Sequence, residues 1–273
     1  MAFLRTAALL GLLTGVLLAA GFFFAGFTGM TLALIFAVFI NFISYWFSDK
    51  IVLSMYRAKP LEDKKLDSIV EKLAKEANIP KPKLYTVKAP IPNAFATGRN
   101  PKNSAVVVTD GLLNTLDEEE IEGVLAHELS HIKNRDTLVS VMAATIAGAI
   151  SFLAQMAWYS LIFGNRRQGG GSLVLLPLLI LAPLAAILIQ LAISRGREFH
   201  ADYTGAIISK KPLALASALE KISHEAKARP MSGNSATSHL WIVNPFKGDN
   251  FVKLFMTHPE TSERIKRLKE IKI

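Results

Sequence analysis

The chain has 273 residues, 51% hydrophobic and 19% charged, with mean hydropathy +0.33, no cysteine and a formal net charge of +9. That balance is too apolar for an ordinary soluble enzyme, and the missing thiols exclude disulfides and thiolate metal sites, leaving histidine and carboxylate as metal ligands. The basic excess flanks apolar runs and the final helix without forming a nucleic-acid motif, so it predicts an anionic membrane surface and no nucleic-acid partner.

No charged side chain lies between Arg5 and Asp49, a run long enough for two helices of about 20 residues each across a ~30 Å hydrocarbon core. Gly26-Phe27-Thr28-Gly29 is the expected turn, making residues 1–48 a transmembrane hairpin. The first half has the form of a signal peptide, but the apolar run continues through Met30 to Phe47, which argues against cleavage. Lys50, Arg57 and Lys59 follow, and the positive-inside rule places that end in the cytoplasm.

From Leu61 to Asn78 the apolar positions Leu66, Ile69, Val70, Leu73 and Ala77 predict an amphipathic helix closed by Pro80 and Pro82. The β-branched runs Leu84–Val87 and Ala105–Thr109 predict strands, with Asn93–Gly98 a weaker third. Asn93, Ala94, Phe95 and Ala96 are the candidate edge against which an extended substrate could add as a strand.

Asp117-Glu118-Glu119-Glu120 reads as a helix start with an Asp cap and a capping-box Glu120, after which Ile121, Val124, Leu125 and Ile132 recur at helical spacing. On that helix lies His127-Glu128-Leu129-Ser130-His131, an H-E-x-x-H run. Residues four apart stack on one face, so both imidazoles converge on a single point, while Glu128 is placed to act as general base.

Two further uncharged stretches, 137–165 and 168–194, flank Arg166-Arg167 and Gly169-Gly170-Gly171 and predict a second transmembrane hairpin over 137–194. Charge resumes at Arg195. A catalytic zinc takes three protein ligands. The metzincin pattern is excluded, because Asn134 and Thr137 stand where it needs Gly and His. A thermolysin-like site takes a later Glu, with an Asp one turn on that orients a zinc histidine; Glu198 and Asp202 have that spacing, with Asp136, His200, His224, Glu220 and Glu225 as rivals. Residues 212–228 predict another helix, 230–250 an ordered loop around Trp241, and 259–273 a basic closing helix with Ile265, Leu268 and Ile271 inward.

The His127–His131 run continued by Ile132-Lys133-Asn134-Arg135-Asp136, together with Arg197-Glu198-Phe199-His200-Ala201-Asp202, resembles the HtpX family of membrane-bound zinc metalloproteases, relatives of the CaaX prenyl endopeptidases. The likeness runs almost end to end and takes in Asn93–Gly98, Val108–Leu113 and Thr257-His258-Pro259. It implies one Zn2+ per chain held by His127, His131 and Glu198, with Glu128 as base and Asp202 supporting a ligand. It also implies polypeptide substrates, including misfolded membrane proteins, a role in quality control and stress response, and a place in the cell membrane. Pro259-Glu260 departs from the family's double proline. His258, at a loop-to-helix junction, is the candidate donor to the developing oxyanion.

The expected architecture is mostly helical α+β: two transmembrane hairpins and a zincin-like catalytic domain of residues 49–136 and 195–273, facing the cytoplasm. An intramembrane zinc protease is the alternative enzyme, opposed by the charges on the zinc helix; a scaffold or transporter is opposed by spans without ionisable groups.

Overall fold

The computed structural model describes residues 2–138, 195–230, 240–243 and 259–273. The amino-terminal unit is α1, Ala2–Trp46, helical throughout yet doubled back on itself. Gly26 has φ +57, and Asn41 Nδ2 donates to Thr14 Oγ1 at 3.2 Å across 27 residues that a straight helix would spread over ~40 Å. The reversal therefore falls within the expected turn. A Cβ on Gly21 would run into the Gly29 carbonyl and Ala33, so the arms meet where side chains are smallest. The second arm, Gly26–Trp46, has mean hydropathy 2.0 and is long and apolar enough to cross a membrane, the one such segment among the described residues. Phe27, Leu32, Ile35, Phe39 and Phe42 stand exposed along it, an outer surface suited to lipid. The expected second hairpin lies, apart from its first two residues, outside the described residues.

The second unit starts at Phe47 and gathers the chain up to Leu138 with the chain from Ile193 onward. Its sheet has the order β1-β2-β4-β3, built from β1 (Lys59–Pro60), β2 (Lys83–Val87), β3 (Ala94–Asn100) and β4 (Asn103–Thr109). β2 and β4 run parallel; β1 and β3 pair antiparallel to their neighbours, which leaves β3 as an edge. The short helix α2 (Ser48–Met55) and the two-residue β1 were not legible in the basic 49–60 stretch.

Helix α3 (Lys64–Ala77) is capped by Asp63, which accepts from the Lys65 and Leu66 amides, and closed by Asn78 in the left-handed region. It buries Leu66, Val70, Leu73, Ala74 and Ala77, the expected face. After β4, Thr109 Oγ1 caps α4 (Asp110–Thr115). The pivotal element is α5, Glu118–Asn134, whose Asp117 and Glu120 form the expected capping box. The helices α6 (Arg195–Ser209), α7 (Pro212–Ala228) and α8 (Thr261–Lys269) complete the unit.

α5 packs against α3, α6, α7 and β3 at once, which explains why Val124, Leu125, Leu129 and Ile132 are all buried. The α5–α6 approach depends on Gly205. A Cβ there would lie 2.8 Å from the His127 nitrogen and 2.9 Å from its Cα, so only a bare backbone lets α6 press against the turn that carries His127. Leu215, Leu219 and Ile222 of α7 and Leu268 of α8 close the core.

Candidate active site

Mid-helix placement brings His127 Nε2 and His131 Nε2 to 3.2 Å of each other, with their rings at 90°. Glu198, on the first turn of α6, reaches between them: Oε1 lies 3.5 Å from His131 Nε2 and Oε2 3.7 Å from His127 Nε2. Glu198 is 3% exposed, buried with the histidines rather than at the surface. Each residue offers one ligand atom, and the three atoms lie within 4.8 Å of one another.

Two observations test whether this set fits a metal. Ligands about 2.0–2.1 Å from a tetrahedral ion are separated by ~3.3 Å, which the two Nε2 atoms match at 3.2 Å, while Glu198 brings one oxygen near each ring at 3.5 and 3.7 Å. Secondly, each imidazole has a carboxylate beside its other nitrogen: His131 Nδ1 is hydrogen-bonded to Asp136 Oδ2 at 3.1 Å, and His127 Nδ1 lies 3.0 Å from Asp202 Oδ1 without the alignment of a hydrogen bond. With protons on the Nδ1 atoms, both Nε2 lone pairs would face one small region, where a cation can sit between them. The residues fit a divalent metal.

The charges agree. Glu128, Glu198, Asp202 and Asp136 crowd around two guanidiniums, Arg264 and Arg197, so with every carboxylate ionised the cluster lacks two positive charges. Burial pulls the His131 pKa down, but Asp136, Glu198 and Glu128 outweigh it and push it up to about 9. Burial raises Glu128 and Glu198 raises it further; the two histidines and the Ala96 amide offset only part of this, leaving Glu128 above the ordinary carboxylate range. Asp202 goes the other way: burial would raise it, but Arg264 and His127 hold it well below.

Glu128 also ties the site to the sheet, because its Oε2 accepts the Ala96 amide of β3 at 2.9 Å. The Thr109 amide donates to the Asn93 carbonyl, and the register continues Phe95↔Val107, so alternation turns the main-chain groups of Ala94 and Ala96 away from β4, to the side of the strand that faces Glu128. The Gly98 carbonyl, next in that series, accepts from Thr137 Oγ1 at 3.1 Å.

Of the four residues expected to meet a substrate, Asn93 and Phe95 are directed elsewhere. The Asn93 amide donates to the Leu240 carbonyl at 3.0 Å and accepts from the Ile242 amide at 2.9 Å, clasping the backbone on either side of Trp241. Phe95 is buried, its ring centroid 5.1 Å from that of Tyr56. The rival ligands are dispersed: His200 and His224 are exposed, Glu220 pairs with Lys269 and Glu225 with Arg229. His258 lies outside the described residues.

Two roles were missed, that of Asp136, considered only as a rival ligand, and that of Arg264. Asp136 supports His131 because Arg135, in the left-handed region with φ 61, ends α5 and swings the next residue back. Arg264 of α8 is 1% exposed and forms a bidentate pair with Asp202, Nε to Oδ2 and Nη2 to Oδ1, both at 2.8 Å. A signal for it existed in the sequence, since Arg264, Leu268 and Ile271 share one helical stripe.

Residues 60–272 match the model of peptidase family M48. The chain belongs to that family. M48 enzymes are metallopeptidases, and the matched region carries every residue of the cluster just described. Near full-length relatives agree: the proteins described as protease HtpX homologs of Thermococcus sibiricus, Pyrococcus furiosus and Persephonella marina are each 54% identical over 98% of this chain and 95–96% of their own length. Among solved structures, Ste24p of S. mikatae has a similar fold, with TM-score 0.53 at 20% identity over 96% of this chain and 62% of that one.

Proposed function

We propose that the chain is a membrane-bound zinc endopeptidase that hydrolyses polypeptides, misfolded membrane proteins among them, in quality control and stress response; relatives described as protease HtpX homologs support the protease part of this reading. The observation that carries this reading is the convergence of His127, His131 and Glu198 on one point, with Glu128 buried beside it and bonded to an edge strand. Two imidazoles and one carboxylate suit zinc with an open fourth position, and zinc held there would act as a Lewis acid toward the scissile carbonyl and water.

The chain's own residues supply the rest. Glu128, with its raised proton affinity, takes a proton from the attacking water and returns it to the departing amine. Asp202 and Asp136 keep both imidazoles in the tautomer that presents Nε2. The outward main-chain groups of Ala94 and the Ala96 carbonyl hold an extended substrate as an added strand, while the Ala96 N–H, donated to Glu128, places that strand beside the base. His258 donates to the developing oxyanion. The apolar arm 26–46 lies in the cell membrane, and Lys50, Arg57 and Lys59 place the catalytic unit on the cytoplasmic side.

The test is casein cleavage by detergent-purified protein, with metal content measured in parallel. The parent should carry one zinc per chain and lose activity to a chelator, while His131→Ala and Glu198→Ala lose both metal and cleavage. Full metal content in either variant would contradict the ligand assignment.

A further inference from the structure

Arg264 holds a position that the proposed chemistry does not itself require. It arrives on α8, a nine-residue helix, yet its guanidinium is buried among the groups of the metal cluster. Two of its nitrogens clamp both oxygens of Asp202. Its Nη1 lies 3.5 Å from Glu198 Oε2, and its Nη2 lies 3.4 Å from His127 Nε2. Asp202 in turn faces His127 Nδ1 at 3.0 Å, so the chain of contacts runs from α8 through Arg264 and Asp202 to the ring that presents a ligand nitrogen.

A guanidinium is costly to bury unless carboxylates compensate it, and a helix this short does not persist without tertiary anchors. Among the described residues its other anchors are Leu268 in the core, Ile265 and Ile271 packed against it along α7, Arg267 over the Phe199 ring at 3.8 Å and the exposed pair Lys269–Glu220, and Arg264 is the one that reaches the metal cluster. The charge of Arg264 would by itself repel a dication. However, it is spent on both oxygens of Asp202, and without the clamp that carboxylate could turn away and leave the His127 ring unfixed.

We propose that Arg264 is a positioning residue of the metal centre, and that through it the docking of α8 and the binding of a divalent metal are one linked equilibrium. The inference rests on the metal site proposed above. Groups that orient a ligand from outside the coordination sphere usually contribute 10–100-fold in metal affinity, so loss of the clamp should weaken zinc binding by a factor of that order, ~10–100. Reciprocity then requires zinc to favour the docked helix by the same factor.

The experiment uses the full-length protein in detergent. Zinc affinity is measured by competition with a chelating dye for the parent, Arg264→Met, Arg264→Lys, Asp202→Asn and the Arg264→Met/Asp202→Asn pair. Both Arg264 variants should bind zinc ~10–100-fold more weakly, lysine failing to rescue because it cannot span both carboxylate oxygens, and the double variant should lose little more than either single one. Because a variant could fail to fold, amide exchange across residues 264–269 is also compared in the parent with zinc and with chelator; protection should rise by the same factor on zinc binding. Zinc affinity equal to the parent in Arg264→Met, full rescue by lysine, or exchange in α8 indifferent to zinc would each overturn the linkage. A parent chain that binds no zinc would instead overturn the metal site itself.

Discussion

Gly205→Ala adds one methyl group where α6 presses against the turn of α5 that carries His127. The new Cβ would sit 2.8 Å from the His127 nitrogen and 2.9 Å from its Cα, where an unstrained contact needs about 3.4 Å or more, so backbone must separate by roughly half an ångström. α5 is held from several sides, so α6 has to give. The shift carries Asp202, one turn away, and Glu198, two turns away, while a metal site tolerates about 0.2 Å in its ligand distances. Overpacking of this kind costs ~1–3 kcal/mol. Helix propensity alone favours alanine over glycine by up to ~1 kcal/mol, so the two effects have opposite signs and the measurement separates them. Thermal unfolding of the detergent-purified variant should show a lowered Tm, with weaker zinc binding and cleavage reduced by ~100-fold, as expected for a site displaced on this scale. A Tm at or above the parent's, with unchanged zinc affinity, would refute the close-packing argument.

Glu122 joins Lys72 of α3 to Lys211 ahead of α7; burial works against its charge, but Lys211 and Lys72 together hold its pKa below the ordinary value. A depressed folded pKa stabilises above the unfolded value, near 4.3, and is lost as pH falls through the folded one, so Glu122→Gln should cost ~1–3 kcal/mol at pH 7 and progressively less on acidification below about pH 4. A destabilisation that does not vary with pH would contradict that. His258→Phe should lower the turnover rate with zinc content unchanged; an unaltered rate would end the oxyanion role. Single cysteines at Ser172 and Ser68, labelled from outside intact cells, should react at 172 alone, since residues on both sides of 137–194 build one site and must share a compartment. Labelling at Ser68 would overturn the cytoplasmic assignment.

Local rules made α5 readable in the sequence: an Asp cap, a capping-box Glu and a periodic apolar face set its start, and the four-residue spacing of its histidines set their convergence. The placement of Glu198 and Asp202 beside the histidines was also legible, because residues four apart on one helix face the same side. What escaped depends on contacts remote in sequence or on a local reversal. Asp136 looked one turn off the ligand face and is returned to it by the left-handed Arg135. Arg264 resembled one more charge on a basic surface helix, although its stripe with Leu268 pointed inward. The Asn93 amide is committed to Leu240 and Ile242, partners almost 150 residues away that no local pattern could nominate.

The central claim, that Glu128 moves the proton in a metal-dependent hydrolysis, is tested most directly by Glu128→Gln. The amide keeps the shape of the side chain and can still accept the Ala96 N–H, but it cannot take a proton from water. Zinc content and casein cleavage should be measured on the same purified sample, in detergent with zinc present. The account predicts one zinc per chain and cleavage lowered by at least ~100-fold; cleavage near the parent rate with the metal in place would contradict it.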